Sequence, residues 1–262
     1  MRDGLDPRIA LALMPLLYWD AWRNLAARFE GAAAVPLLLV AVTVAVPALR
    51  RIARGEAEPV PLNGLCVALS AYVLASLTAP VLVAAGTAVT GVALLCRRIA
   101  GGGAPAAPFA GLALLALPVL PSLDFYLAFP MRLVGAALTA GLLRLNGIAV
   151  AVDGVALSWN GSLLLFDAPC SGIRMLWAAL FLASGIALVS AHGLTRYARS
   201  LAIAAAMAIA GNALRAASLF YVEKGFIPAL SGPVVHEAVG IAAFAGIGLA
   251  TLFLLAPRQQ AA

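Results

Sequence analysis

Asp167-Ala168-Pro169-Cys170-Ser171-Gly172-Ile173-Arg174 sets a thiol and a guanidinium at the threshold of a long apolar run. A cysteine attacks as its thiolate, and a helix N-terminus or a neighbouring cation favours that form. Cys170 follows Pro169 and opens the expected helix, and Arg174 lies one turn further on the same face. Two more polar signals sit at expected helix ends downstream: Asn212 with Arg215, and His236 with Glu237. A histidine can supply or remove a proton near neutral pH. An arginine in an apolar helix is costly without a partner or a task. Its fork can stabilise a developing oxyanion or hold a carboxylate, and Asn212, three residues earlier on the same face, can orient it. Thiol, imidazole and guanidinium together suit acyl transfer through a thioester.

Each residue alone has a plainer reading. A single cysteine in an apolar chain is more often packing than catalysis. Arg174 can snorkel towards headgroups, and a histidine at a helix start is more often a cap than a catalyst. Arg215 resists such a reading, because its helix is otherwise apolar from Leu201. Ser171 is a rival nucleophile that would pair with His236. His192 sits among Arg196 and Arg199 at the opposite helix end and receives no role.

The elements that must position these groups follow from composition. Of 262 residues, 64% are hydrophobic and 11% charged, with mean hydropathy +1.03. A soluble domain carries about a quarter charged residues. The apolar runs reach about 17–22 residues, enough to cross hydrocarbon as helices. The expected fold is therefore an all-α polytopic membrane protein of about eight transmembrane helices, read as a single domain over 1–262. The expected spans are Ile9–Ala21, Ala33–Leu49, Leu62–Ala79, Val81–Leu95, Pro105–Leu120, Ile173–Ala191, Leu201–Tyr221 and Val235–Leu255. The first is short and contains Pro15, and it reads as a retained helix rather than a cleaved signal. Three cysteines, two of them in apolar runs, form no disulfide framework. The net charge of +6 comes without the basic stripe and interleaved aromatics that nucleic acid needs. No metal or cofactor is expected.

Arginines accumulate on the cytoplasmic side of short loops. With the N-terminus inside, the clusters Arg50-Arg51 with Arg54, Arg97-Arg98, and Arg196 with Arg199 all fall inside. Residues 121–169 then form an extracytoplasmic insertion. Met131–Leu145 reads as a small amphipathic helix in the interface, with Arg132 and Arg144 at headgroup level. The alternation that follows, broken at Asp153-Gly154 and Asn160-Gly161, reads as a β-hairpin element of two or three strands before the sixth helix. On this topology Cys170, Arg215 and His236 share one depth on the outer side, and a reversed insertion would move them together.

Ala168-Pro169-Cys170-Ser171-Gly172-Ile173-Arg174, then Asn212-Ala213-Leu214-Arg215, then His236 followed by Gly240, resemble the exosortase/archaeosortase family. The resemblance covers Gly147–Leu255 well and thins towards the N-terminus. It implies a membrane cysteine transpeptidase or endopeptidase with Cys170 as nucleophile, His236 as acid/base and Arg215 as the oxyanion or positioning group, supported by Arg174 and Asn212. It also implies the partners: exported proteins bearing a C-terminal motif, a transmembrane helix and a basic tail, and an unidentified surface acceptor. A bacterial inner membrane is the implied location. Two features depart from the family pattern. Phe29-Glu30-Gly31 stands where many members carry His-Gly, and the seventh expected helix lacks a proline ahead of Asn212. A reading from another class is a transport or export component for polysaccharide or lipid. The near absence of charge in the inner halves of the helices argues against ion coupling in it.

Overall fold

The computed structural model describes residues 4–28, 34–101, 103, 105–117, 119–166, 171–226 and 233–255, with the backbone alone at 28, 34–37, 119–122, 233 and 236. The chain is mostly helical. It divides into two compact units, the first comprising 1–119 with 184–197 and the second 120–183 with 198–262.

In the first unit, α1 (Pro7–Leu17) opens with Pro7 at its first position and with Asp6 Oδ1 accepting from the Arg8 amide at 2.7 Å. These features suit a helix N-terminus. The expected first span is broken: α1 ends at Leu17 and α2 (Trp19–Arg28) follows as a separate, more polar helix. At the break, Tyr72 of α4 (Leu62–Thr78) stacks edge-on with Tyr18 at 4.9 Å, and its hydroxyl accepts from the Ala21 amide at 3.1 Å. A side chain at Gly91 of α5 (Val81–Ile99) would collide with the Tyr18 hydroxyl, so this glycine admits the junction. Two basic clusters meet within this unit. Arg51, on α3 (Ala34–Ala53), donates to the Ala100 carbonyl at 3.4 Å, and Arg98 pairs with Glu58 at 3.8 Å.

The fifth expected span is also revised. Helix α6 (Ala106–Ala116) has 11 residues, about 17 Å of rise, short of a ~30 Å layer. Pro118 stops it: the residue before a proline is excluded from the helical region, and Leu117 is extended at φ −71, ψ 159. The helix expected over Met131–Leu145 starts much earlier, so α7 runs Val119–Leu145 and carries Pro130 inside it. Its stretch Leu123–Leu145 is long and apolar enough to cross a membrane. Arg132 and Arg144 at the two ends were the reason to lay this segment in the interface, and in α7 Arg132 stands inside the helix rather than at its end.

The second unit places a sheet on two helices. Strands β1 (Ala151–Asp153), β2 (Ala156–Trp159) and β3 (Ser162–Leu165) form one antiparallel sheet in the order β1-β2-β3. Asn160 and Gly161 both have positive φ, 48° and 77°, as a type I′ turn demands. The first turn is Gly154-Val155, one place beyond Asp153-Gly154, with positive φ at the glycine. Leu157 and Phe166 from the sheet side are buried against Ala136, Ala140 and Leu143 of α7 and against Ala216, Ala217 and Phe220 of α9 (Leu194–Glu223). Small residues on both helices bring the backbones close, and Thr139 Oγ1 donates to the Ala213 carbonyl at 3.3 Å. Helices α8 (Ile173–Val189) and α10 (Pro233–Leu255) complete the chain.

Among the described residues, four helical stretches are long and apolar enough to cross a membrane: Val81–Ile99, Leu123–Leu145, Leu194–Glu223 and Glu237–Leu255. Shorter apolar helices at Pro7–Leu17, Leu62–Thr78, Ala106–Ala116 and Ile173–Val189 accompany them.

Candidate active site

The second unit brings together the residues flanking each sequence motif. Cys170 lies outside the described residues, as does the side chain of His236. Their immediate neighbours are described, and these converge on one face of α9.

Gly172 turns the chain into α8 with φ +77, a conformation that L side chains rarely adopt. Space imposes the same choice. A Cβ there would lie 2.8 Å from Cγ and 2.9 Å from Nδ2 of Asn212. The Asn212 amide, 3% exposed, is thus packed onto the backbone two residues after Cys170. Its other neighbour is Gly135 of α7, where a Cβ would stand 3.7 Å from Asn212 Nδ2 and 3.7 Å from the Phe166 ring. Asn212 therefore fills a slot bounded by the start of α8, the middle of α7 and the end of the sheet.

One turn further along α9, Arg215 reaches α10. A Cβ at Gly240 would lie 3.4 Å from Arg215 Nε and 3.8 Å from Nη2. Gly240 is one turn after His236 on that helix. Arg215 Nε is buried and meets no hydrogen-bond partner among the described residues. An unpaired buried donor on a cation is costly. A guanidinium held this way is ready to donate to an incoming carbonyl or carboxylate.

The remaining candidates separate. Arg174 is exposed on α8. Ser171 is buried at 3% exposure, and its Oγ accepts from the Ile173 amide at 3.4 Å. A hydroxyl engaged in shaping the start of α8 is poorly presented as a nucleophile. No group of three or more His, Cys, Asp or Glu suited to a metal occurs among the described residues.

Arg132 enters the site unannounced by the sequence reading, which placed it among headgroups. It lies one turn before Gly135 on α7. Its Nη1 donates to the Phe166 carbonyl at 3.5 Å and its Nε to the Ala128 carbonyl at 3.4 Å, with the Phe129 ring 5.9 Å away. It thereby holds the backbone at the last described residue before Cys170. The signal available was an arginine at i−3 to a helical glycine in an apolar stretch, which marks a guanidinium and a close-contact face on one side of the helix.

Comparison with known proteins agrees with the family resemblance. The family described as Transmembrane exosortase (Exosortase_EpsH) matches residues 9–254, nearly the whole chain. No curated protein matches the chain, and no solved structure does. Family membership brings a membrane transpeptidase or protease role towards exported proteins with sorting signals. By this match, the chain belongs to the transmembrane exosortase family.

Proposed function

We propose that the protein is a cysteine transpeptidase or endopeptidase that cleaves C-terminal sorting signals of exported proteins at the extracytoplasmic face of a bacterial inner membrane. The observation that carries this reading is the convergence on α9. Asn212 packs on Gly172, two residues from Cys170, and Arg215 packs on Gly240, one turn from His236. One helix face thus ties the thiol-bearing turn to the imidazole-bearing helix.

In the reaction, the Cys170 thiolate attacks the scissile carbonyl carbon, forming a C–S bond and an oxyanion. Arg215 donates to that oxygen, where preorganised donors are most effective. His236 protonates the leaving amine as the C–N bond breaks, leaving an acyl thioester. An amine acceptor or water then attacks the thioester, gives its proton to His236, and releases the acyl group with return of the thiol. Asn212 packs on Gly172, two residues after Cys170, and Arg174 adds positive charge four residues on in the chain, inside a helix that begins only at Ile173.

The test is conversion of an exported reporter carrying a C-terminal motif, transmembrane helix and basic tail. Cys170→Ala is expected to lower processing at least about a hundredfold, with membrane levels of the enzyme unchanged. Undiminished processing in that variant would overturn the cysteine mechanism and favour an export component. Loss in Ser171→Ala with retention in Cys170→Ala would make Ser171 the nucleophile.

A further inference from the structure

The sheet beside the site has two outer edges, one carrying charged groups and a single outward residue, Val152, and one carrying two outward leucines. The strand order β1-β2-β3 leaves β1 and β3 outermost. The Phe166 amide donates to the Val155 carbonyl at 2.9 Å, and Ala156 faces Leu165 while Ser158 faces Leu163. In an antiparallel ladder the inward-bonding residues alternate. Ser162 and Leu164 therefore share with Phe166 the groups that face β2. Leu163 and Leu165 turn their amides and carbonyls to the free edge. Among the described residues no hydrogen bond beyond the sheet reaches those groups.

The β1 edge differs. The Val150 carbonyl leading into β1 accepts both Nε and Nη2 of Arg144, at 3.0 and 2.8 Å. Asp153 ends that strand with a charge, a common guard against unwanted pairing. On β3 the two edge residues are leucines, 70% and 61% exposed. Their side chains project from the face opposite Leu157 and Leu164, which pack towards the core.

We propose that β3 is the docking edge for substrate: the extended stretch of the exported protein pairs with Leu163 and Leu165 as a fourth strand. This rests on the peptidase reading of the same site. A lipid tail could cover the leucines but offers nothing to unmet amides and carbonyls, which are costly near hydrocarbon. An extended peptide meets both needs by adding main-chain bonds while alternate side chains meet the leucines. Closeness along the chain favours this occupant too. Strand β3 ends at Leu165, five residues before Cys170 in the chain, a separation that spans at most about 18 Å when fully extended.

The test compares Leu165→Pro, which removes one outward amide and leaves the ladder to β2 intact, with Leu165→Ala, which removes the side chain alone. Processing of the reporter is expected to fall about tenfold or more in Leu165→Pro, the effect of one lost hydrogen bond, and by a smaller factor in Leu165→Ala, which keeps the outward amide and loses only the side-chain contact. Equal loss in both, or native processing in the proline variant, would overturn the proposal. Should Leu165→Pro fail to accumulate, a second measurement decides. In a Cys170→Ala background, the photoreactive replacement Leu163→p-benzoylphenylalanine is expected to cross-link the reporter in the residues preceding its transmembrane helix. Cross-links to lipid or to a second copy of the enzyme alone would sink the docking edge and leave the Cys170 chemistry standing. Processing that persists in Cys170→Ala would instead sink the chemistry.

Discussion

Two contacts at residue scale order the candidate site, and the side chain of Arg215 adds a third prediction. Gly172 combines positive φ with contact against Asn212, so Gly172→Ala must both strain the backbone and displace the amide. The left-handed conformation alone costs about 1–2 kcal/mol outside glycine. Processing is expected to fall at least about tenfold on that cost, with Cys170 reacting more slowly with a maleimide probe. Normal labelling and processing would mean that the Asn212 slot does not shape the thiol. At Gly240 the gap to Arg215 Nε leaves just enough room for a methyl group if the guanidinium gives by tenths of an ångström. Gly240→Ala is therefore expected to be mild and Gly240→Leu to abolish processing, read by reporter conversion in membranes. Arg215→Lys keeps the charge and loses the planar fork with its buried Nε. A loss close to that of Arg215→Ala would mark the geometry of the fork as what matters, since Lys substitutes poorly at bidentate sites.

At the scale of elements, the site depends on α7 and α9 lying close enough for one asparagine to touch both α7 and the start of α8. Ala136 and Ala140 on α7 and Ala213, Ala216 and Ala217 on α9 are all buried, and Thr139 adds a hydrogen bond to the Ala213 carbonyl. Ala136→Leu inserts bulk where backbones meet and is expected to cost about 1–3 kcal/mol, seen as a lower midpoint of thermal aggregation in detergent. Thr139→Val removes the hydroxyl at nearly constant shape. Interhelical bonds of this kind are worth about 0.6 kcal/mol on average in membranes, so its midpoint should shift less than that of Ala136→Leu. The reverse order would show that the hydrogen bond, not small-residue packing, holds α7 to α9. The sheet rests on the same two helices through Leu157 and Phe166. Arg132 and Arg144 then tie the α7 side to the carbonyls of Phe166 and Val150, after and before the strands.

At the scale of the whole molecule, the question is which side of the membrane holds the site. Within the first unit, Arg51 reaches Ala100 and Arg98 reaches Glu58. The first two basic clusters thus lie at one end of their helices, as the orientation read from the arginines requires. Along the chain, α6 is too short to cross alone and the stretch Leu123–Leu145 is long enough to do so. The extracytoplasmic placement proposed for the site therefore requires an odd number of crossings between Gly103 and the sheet. Single cysteines tested with a membrane-impermeant maleimide check it: Asn160→Cys is expected to label in intact cells, and Gly103→Cys only after permeabilisation. Labelling of both, or of neither, in intact cells would overturn the extracytoplasmic assignment.

The sequence by itself determined the membrane setting, because apolar runs with so little charge have no other solvent. It also determined the motif residues, since a polar side chain in such a run stands out against its neighbours. Asn160-Gly161 announced its turn for the same local reason: few residues accept two positive φ angles in succession. What only the tertiary structure decided was which of these residues meet. Gly172 against Asn212 and Gly240 against Arg215 are contacts between positions far apart in the chain, and periodicity on one helix says nothing of the partner across from it. The lengths of α6 and α7 were likewise decided by context. Pro118 ends a helix and Pro130 sits inside one, and a proline is carried only where surrounding packing offsets its lost amide bond. The same holds for Arg132, legible as a charge at an expected interface. It became part of the site only when the fold brought the Phe166 carbonyl to it.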